Sequence, residues 1–310
     1  MRVLLTGAGG MLGTAIAGSW AERAGGHELV PVTRDRVDLR DPAAVRALLE
    51  AERPDVVIHA AARVGGIADK LDHPASYLLD NVAIDSAVIG GSIATGVPRL
   101  LYVSSAAGYP EDAAQPIGED ALLTGPLEPA NEPYGLAKLL GARLTAFASR
   151  EHGLAYRTVV PSNLYGPGES YGERSAHLIA SALRKVHAAH VAGAASVEVW
   201  GDGTARREFT FSRDLADWLV ASLGDLDDWP ASLNVGAGDD RTVREYYEIA
   251  SAIVGYTGGL AFDPGKPAGV PRRLLDSSAA RALGWHPRTS IEAGMRVTYA
   301  RYLDTITEAS

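Results

Sequence analysis

The stretch Val3-Leu4-Leu5-Thr6-Gly7-Ala8-Gly9-Gly10-Met11-Leu12-Gly13 decides the fold. A short apolar run ends in glycines at 7, 10 and 13. Leu12, Ile16 and Trp20 then recur at four-residue spacing, the period of a helix with one apolar face. Strand, glycine turn and helix in that order open a parallel sheet. Gly7 permits the tight turn, Gly10 lets backbone approach a pyrophosphate, and Gly13 lets the helix pack closely on the strand. The helix start offers free N–H groups and a partial positive charge to phosphate.

Outward from there, Leu29–Val32, Val56–His59, Leu100–Val103 and Arg157–Val160 read as further strands. Residues 41–51, opening with Asp-Pro, and residues 82–95 and 134–152 read as helices. The alternation implies an α/β fold, a Rossmann doubly wound parallel sheet with right-handed crossovers. From about 161 the texture shifts toward glycine, proline and polar residues, yet Leu233-Asn234-Val235 reads as a strand that returns to the first sheet. The expected organisation is a cofactor-binding domain over 1–160 plus about 208–236. A smaller, partly discontinuous C-terminal α/β substrate lobe takes 161–207 and 237–310.

Composition sets bounds. In 310 residues, 46% are apolar and 22% charged, an ordinary globular balance. A net charge of −9 argues against nucleic acid as a partner, and no run is long enough to span a membrane. The opening MRVLLTG enters a strand at once and lacks the features of a secretory signal, so a cytoplasmic enzyme is expected. There is no cysteine, which removes thiolate chemistry, and the eight histidines show no metal-ligand spacing.

Two places carry chemistry. At the end of the second strand, Arg34 and Arg36 flank Asp35. An arginine there suits the 2′-phosphate of NADP(H), with Arg34 as its partner, whereas a carboxylate would suit NAD(H). Ser104-Ser105 follow the fourth strand, and about 30 residues later Tyr134-Gly135-Leu136-Ala137-Lys138 begins a helix. Tyrosine and lysine four apart share a helix face, and an ammonium nearby lowers the phenol pKa. The tyrosine then donates a proton to a carbonyl oxygen as hydride arrives at carbon, while the serine orients the carbonyl.

These motifs resemble the extended short-chain dehydrogenase/reductases, and within them the GDP-L-fucose synthase family. The resemblance rests on Ala60-Ala61-Ala62-Arg63-Val64-Gly65-Gly66-Ile67, Leu127–Tyr134, Pro161-Ser162-Asn163-Leu164-Tyr165-Gly166-Pro167, Val199–Thr204, Arg207-Glu208-Phe209, Asn234-Val235-Gly236 and Pro271–Asp276. It implies catalysis by Ser104, Tyr134 and Lys138, with His177 as an epimerisation acid. It implies NADP(H) binding along Gly7, Gly10, Met11, Leu12, Gly13, Arg34, Asp38, Leu39, Ala60, Ala61, Ala62, Lys138, Pro161, Asn163, Leu164 and His177. Substrate binding falls to Ser105, Ala106, Asn163, Lys185, Trp200, Arg207 and Arg272. Read alone, Trp200 would be a core aromatic and Arg207 a surface ion pair. The family also implies a homodimer built on helices 82–95 and 134–152.

The pattern breaks where the family has its epimerisation base, a cysteine two residues after the serine. Here that position is Ala106. A family arginine is Lys185, which loses the bidentate fork, and a family carboxylate is Ala268. The expected enzyme is therefore an NADPH-dependent 4-ketoreductase of a GDP- or dTDP-linked 4-keto-6-deoxyhexose that leaves C3 and C5 untouched. The alternatives are a bifunctional 3,5-epimerase/4-reductase in which His177 or another group serves as base, and a non-catalytic NADP-binding regulator.

Overall fold

The computed structural model describes residues 1–23, 25–172, 176–266 and 269–308. Its first half runs β1 (Arg2–Thr6), α1 (Met11–Arg23), β2 (Glu28–Val32), α2 (Pro42–Glu52), β3 (Val56–His59), α3 (Ile67–Asp72), α4 (Pro74–Ala94), β4 (Arg99–Val103), α5 (Glu132–His152) and β5 (Ala155–Pro161). After β6 (Asn163–Tyr165), α6 (Leu178–Ala192), β7 (Ser196–Trp200) and β8 (Arg206–Phe211) come α7 (Ser212–Ser222) and β9 (Ser232–Val235). The chain ends with β10 (Asp240–Thr242), α8 (Val243–Val254), β11 (Gly259–Asp263), β12 (Arg272–Arg273), α9 (Ser278–Ala282) and α10 (Ile291–Glu308).

The apolar runs form one six-stranded parallel sheet in the order β2-β1-β3-β4-β5-β9. This is the Rossmann arrangement expected from the glycine turn. β2 holds an edge, which accommodates Pro31 and its missing N–H. Because β2 and β3 lie on opposite sides of β1, the order reverses there, and the crevice for a ligand opens at the C-terminal ends of β1 and β3. α1 and α7 cover one face, where Ile16, Trp20, Leu215 and Leu219 join Val3, Leu5 and Val159. α2, α4 and α5 cover the other, through Val45, Leu49, Val88 and Ala142.

Helix starts follow their caps. Asp41 accepts hydrogen bonds from the N–H groups of Ala43 and Ala44, with Pro42 opening α2. α4 begins at Pro74 rather than 82, and α5 at Glu132 rather than 134, each with a proline in its first turn. The second lobe holds two further sheets, β10-β8-β12 with β6 on β8, and β11-β7. Their core joins Tyr165, Leu183, Val197, Phe209, Phe211 and Tyr246. Phe209 and Phe211 thus commit β8 to the second lobe, and the chain rejoins the first sheet's layer at α7 rather than at about 208.

Candidate active site and cofactor cleft

The cleft is built by backbone that tolerates no side chain. Gly7 has φ +72° and lies so close to the chain after β3 that a Cβ would meet the Ala61 nitrogen at 2.7 Å. A Cβ on Gly13 would sit 2.1 Å from the Gly7 carbonyl oxygen. The start of α1 is therefore drawn onto the turn with Gly9 and Gly10 exposed above it, a cradle that fits the pyrophosphate of a dinucleotide. Met11 stands at the helix start, while the Leu12 side chain is buried in the core and leaves only its backbone to the cleft. Beside the cradle, Ala60 and Leu164 pack on the same core, Ala62 continues the turn after β3, Pro161 ends β5, and the Asn163 amide donates to the Glu208 carbonyl at 3.1 Å.

At the end of β2 the charges sort clearly. Arg36 is tied to Glu52 and to the Pro31 carbonyl, and Asp38 is paired with Arg40 at 2.8 Å. Leu39 packs on the core beneath α2. Arg34 is exposed and, among the described residues, has no hydrogen-bond or ion-pair partner. It is the guanidinium at this strand end that is open to a phosphate.

The reacting groups meet where β4, the turn after it, and α5 come together. Ser104 ends β4 and turns its hydroxyl onto the Lys138 carbonyl, to which it donates at 3.1 Å. Alternation along the extended chain points Ser105 the other way, and its side chain is the one hydrogen-bonded to the Tyr134 phenol. Ser104, expected on the carbonyl, thus faces the α5 backbone, and Ser105, expected as a substrate contact, stands at the phenol. Burial, with the Asp85 carboxylate adding to it, pushes the Tyr134 phenol well above its ordinary pKa, so the tyrosine is held protonated. The expected lowering by Lys138 is absent because that ammonium is occupied elsewhere. Its Nζ lies 3.5 Å from Asp85 Oδ1 and 4.7 Å from the centre of the Tyr102 ring.

Asp85 is the hub of a buried network. It receives the Tyr102 hydroxyl at 2.5 Å and His59 Nε2 at 3.0 Å, and His59 Nδ1 is 2.7 Å from the Thr6 hydroxyl at the end of β1. Burial opposes its charge, but Lys138, His59 and Tyr102 outweigh that and hold the carboxyl below its usual range. Burial also keeps the His59 ring neutral, the form that donates to Asp85 and accepts from Thr6.

On the substrate side, His177 precedes α6, and burial, with Lys70 adding repulsion, pushes its pKa down to about 4. In this environment the imidazole is held neutral at pH 7. Trp200 is 41% exposed, so it is not a core aromatic; Lys185 Nζ and Lys266 Nζ stand 5.8 Å and 5.7 Å from its ring centre. Lys185 also donates to the Glu198 carbonyl at 3.1 Å. Arg207 is half-buried beside Glu128 and Arg273, which corrects its reading as a surface ion pair. The Arg272 guanidinium, like that of Arg206, is bonded to the buried Asp240. Position 268 lies outside the described residues. A cavity of 640 Å³ opens here, lined by Ile67, Glu111, Glu128, Gly269 and Arg272 among others. Tyr134 and Lys138 do not line it; Glu128, which does, accepts from the Asn131 side chain, and the Asn131 carbonyl accepts the Gly135 N–H at the start of α5.

Residues 3–236 match the NAD dependent epimerase/dehydratase family. The chain belongs to this family. It is 40% identical over 315 residues to the GDP-L-fucose synthase of Escherichia coli (strain K12), covering 98% of this chain and 97% of that protein. Among solved structures it is similar to a GDP-6-OMe-4-keto-L-xylo-heptose reductase from C. jejuni, at 28% identity and TM-score 0.92 over 98% of each chain. It is also similar to MlghC, a GDP-mannoheptose C4 reductase from Campylobacter jejuni with NADP bound, at 30% identity and TM-score 0.87, covering 97% of this chain and 98% of that one. The protein is an oxidoreductase of the extended short-chain dehydrogenase/reductase superfamily, of the GDP-L-fucose synthase-like kind.

Within that family frame, two residues of this site, Asp85 and Lys70, carried no signal in the motifs, and a third, Arg273, lies within Pro271–Asp276 with no role assigned to it there. Asp85 interrupts an apolar helical pattern, which is the one sequence clue to its burial. Lys70 sits on the short α3 between half-buried Asp69 and exposed Leu71, yet is 8% exposed itself. Arg273 donates to the Ala106 carbonyl at 2.6 Å, while its Nη2, 3.8 Å from Glu128, lacks a hydrogen-bond partner. Among the described residues no group of acidic, histidine or cysteine side chains could hold a metal, and no helix is long and apolar enough to cross a membrane.

Proposed function

We propose that this protein is an NADP(H)-dependent 4-ketoreductase of a nucleoside-diphosphate 4-keto-6-deoxyhexose, and that it leaves the neighbouring carbons unepimerised. The reading is carried by one contrast inside the site. A buried, protonated Tyr134 stands ready with Ser105 as its hydroxyl partner, while the next two residues, Ala106 and Ala107, present only methyl groups, so no base stands there whichever serine the spacing is counted from. A phenol in that state can give its proton to a ketone oxygen, whereas a methyl group can remove none from carbon.

NADPH, when bound along the glycine turn with Arg34 at its 2′-phosphate, supplies the hydride. The chain does the rest. Ser105 orients and polarises the carbonyl through its hydroxyl, and Tyr134 passes its proton to the oxygen. The Asp85 network fixes Lys138 beneath the tyrosine and ties its position to Thr6 at the mouth of the glycine turn. A nucleoside diphosphate suits the other side. Arg207 and Arg273 both stand beside the Glu128 carboxylate and bring two guanidinium groups to this side for a diphosphate, and the exposed face of Trp200 offers a stacking surface for a base. Two structural relatives, a GDP-6-OMe-4-keto-L-xylo-heptose reductase and a GDP-mannoheptose C4 reductase, point the same way. GDP-linked sugars are the first to test and dTDP-linked sugars the second.

A second reading, bifunctional epimerase and reductase, is favoured by the 40% identity to a GDP-L-fucose synthase and by the neutral, proton-accepting His177. The experiment that separates them is NADPH oxidation with GDP-4-keto-6-deoxymannose in heavy water, with the product examined by NMR. A 4-hydroxy product without deuterium at C3 or C5 is expected. Deuterium at either carbon would sink the pure reductase.

A further inference from the structure

The serine at the Tyr134 phenol lies on a short turn, so the backbone of that turn decides where its hydroxyl sits. Ser105 Oγ accepts the Ala107 N–H at 3.2 Å, which leaves the hydroxyl proton for the phenol oxygen or a substrate carbonyl. On one side the turn rests on α5. A Cβ on Gly135, next to Tyr134, would meet the Ala107 carbonyl oxygen at 2.4 Å. On the other side the turn is held from the second lobe. Arg273 Nη1 donates to the Ala106 carbonyl at 2.6 Å and to that of Tyr109 at 3.4 Å. The arginine is buried, where a charge-assisted bond to a carbonyl is stronger than it would be in water.

The register of the second lobe explains why this arginine is within reach. β12 pairs with β8 in parallel, Arg272 beside Arg206 and Arg273 beside Arg207. Side chains alternate along both strands. Arg206 and Arg272 turn to Asp240 on one face, while Arg207 and Arg273 turn the other way, toward Glu128. A Cβ on Gly269, which lines the cavity, would meet Arg207 Nη2 at 2.8 Å, so that guanidinium stands directly behind the cavity wall. The arginine offered to the diphosphate and the arginine on the serine's turn are therefore neighbours on one sheet. We propose that Arg273 is a positioning residue for the reduction: through the Ala106 carbonyl it sets Ser105 against Tyr134, in register with Arg207 beside it. The inference rests on the reductase reading and deepens it. Arg273 acts through the serine and transfers no proton itself, and the second lobe thereby fixes the catalytic turn to the same sheet that seats the nucleotide sugar.

The test is kcat and KM for NADPH oxidation with GDP-4-keto-6-deoxymannose in the wild type, Ser105→Ala, Arg273→Met, Arg273→Lys and the S105A/R273M double variant. NADPH binding followed by fluorescence verifies the fold of each. R273M should lose roughly ten- to hundred-fold in kcat, the worth of a hydrogen bond to a charged group, with KM within about threefold of the wild type. R273K should recover part of that loss, because an ammonium can still donate to one carbonyl. In the S105A background R273M should cost no more than about twofold further, since a residue that acts through the serine has nothing left to position. Losses that multiply in the double variant overturn the proposal. So does wild-type kcat in a folded R273M, or a raised KM with kcat unchanged, which would make Arg273 a substrate contact. If R273M does not fold, Arg273→Gln runs the same cycle and decides. Wild-type enzyme that turns over no 4-keto nucleotide sugar removes the reductase reading, and the inference with it; multiplied losses in an enzyme that does turn over remove only the role given to Arg273.

Discussion

Arg34 is a residue whose value lies in having nothing bound to it. Its neighbours Arg36 and Arg40 are spent on Glu52, Asp38 and Asp80, which leaves one guanidinium for a phosphate. Arg34→Ala should raise KM for NADPH roughly tenfold or more while KM for NADH barely moves, as a charge-assisted hydrogen bond is lost. Equal effects on both cofactors would reduce Arg34 to a solvated surface charge. Two histidines make a second prediction. Burial holds His59 and His177 neutral below the ordinary imidazole range, His177 down to about 4. In the unfolded chain both take up a proton near pH 6.5. The unfolded state therefore binds more protons as pH falls from there toward 4, and stability, complete above that window, declines within it. The urea midpoint should fall between pH 7 and 5, and His177→Asn should make that slope shallower by up to about 3 kcal/mol over the window. The same two scales of reading, motif and burial, explain what was legible here. Tyr134, Lys138 and Arg34 stand in short patterns with a chemical reason. Lys70, Asp85 and Arg273 became site residues only when distant segments closed over them, which no local pattern records.

Elements tell a complementary story. The inner strands β1, β3 and β4 were legible because they are buried on both faces and read as nearly unbroken apolar runs. β7 alternates instead, with Val197 and Val199 inward and Ser196, Glu198 and Trp200 outward, and β10 and β12 are too short to show any period. The starts of α4 and α5 were placed late because their first turns, at His73-Pro74 and Glu132-Pro133, are polar and give no apolar rhythm. α5 also shows how tightly an element can be seated. A Cβ on Gly141 would lie 2.3 Å from the Tyr102 hydroxyl and 2.9 Å from Asp85 Oδ2. Gly141→Ala should therefore cost about 1–3 kcal/mol despite alanine's better helix propensity, and should lower kcat by moving Lys138. A stabilised variant with unchanged kcat would mean that α5 can slide away from β4 without consequence.

For the whole molecule, the outer faces of α4 and α5 pose the remaining question. Leu136, Leu140 and Phe147 form one exposed stripe along α5, and Leu79 of α4 is 67% exposed. We propose that a second copy covers them as a homodimer. Leu136→Glu with Leu140→Glu should yield monomers by sedimentation at concentrations where the unaltered protein is a dimer; a monomeric wild type would refute the assembly. A different consequence follows from β9 and Trp285. The sixth strand of the first sheet arrives from residues 232–235, and the indole of Trp285, fully buried, packs edge-on against Trp218 in that sheet's core. A nascent chain that has left the ribosome only as far as residue 207 still lacks that strand and both indoles. Its cofactor half must wait for nearly the last segment to be synthesised. For the same reason a single crossover in the chain cannot exchange the two lobes between relatives as intact cassettes.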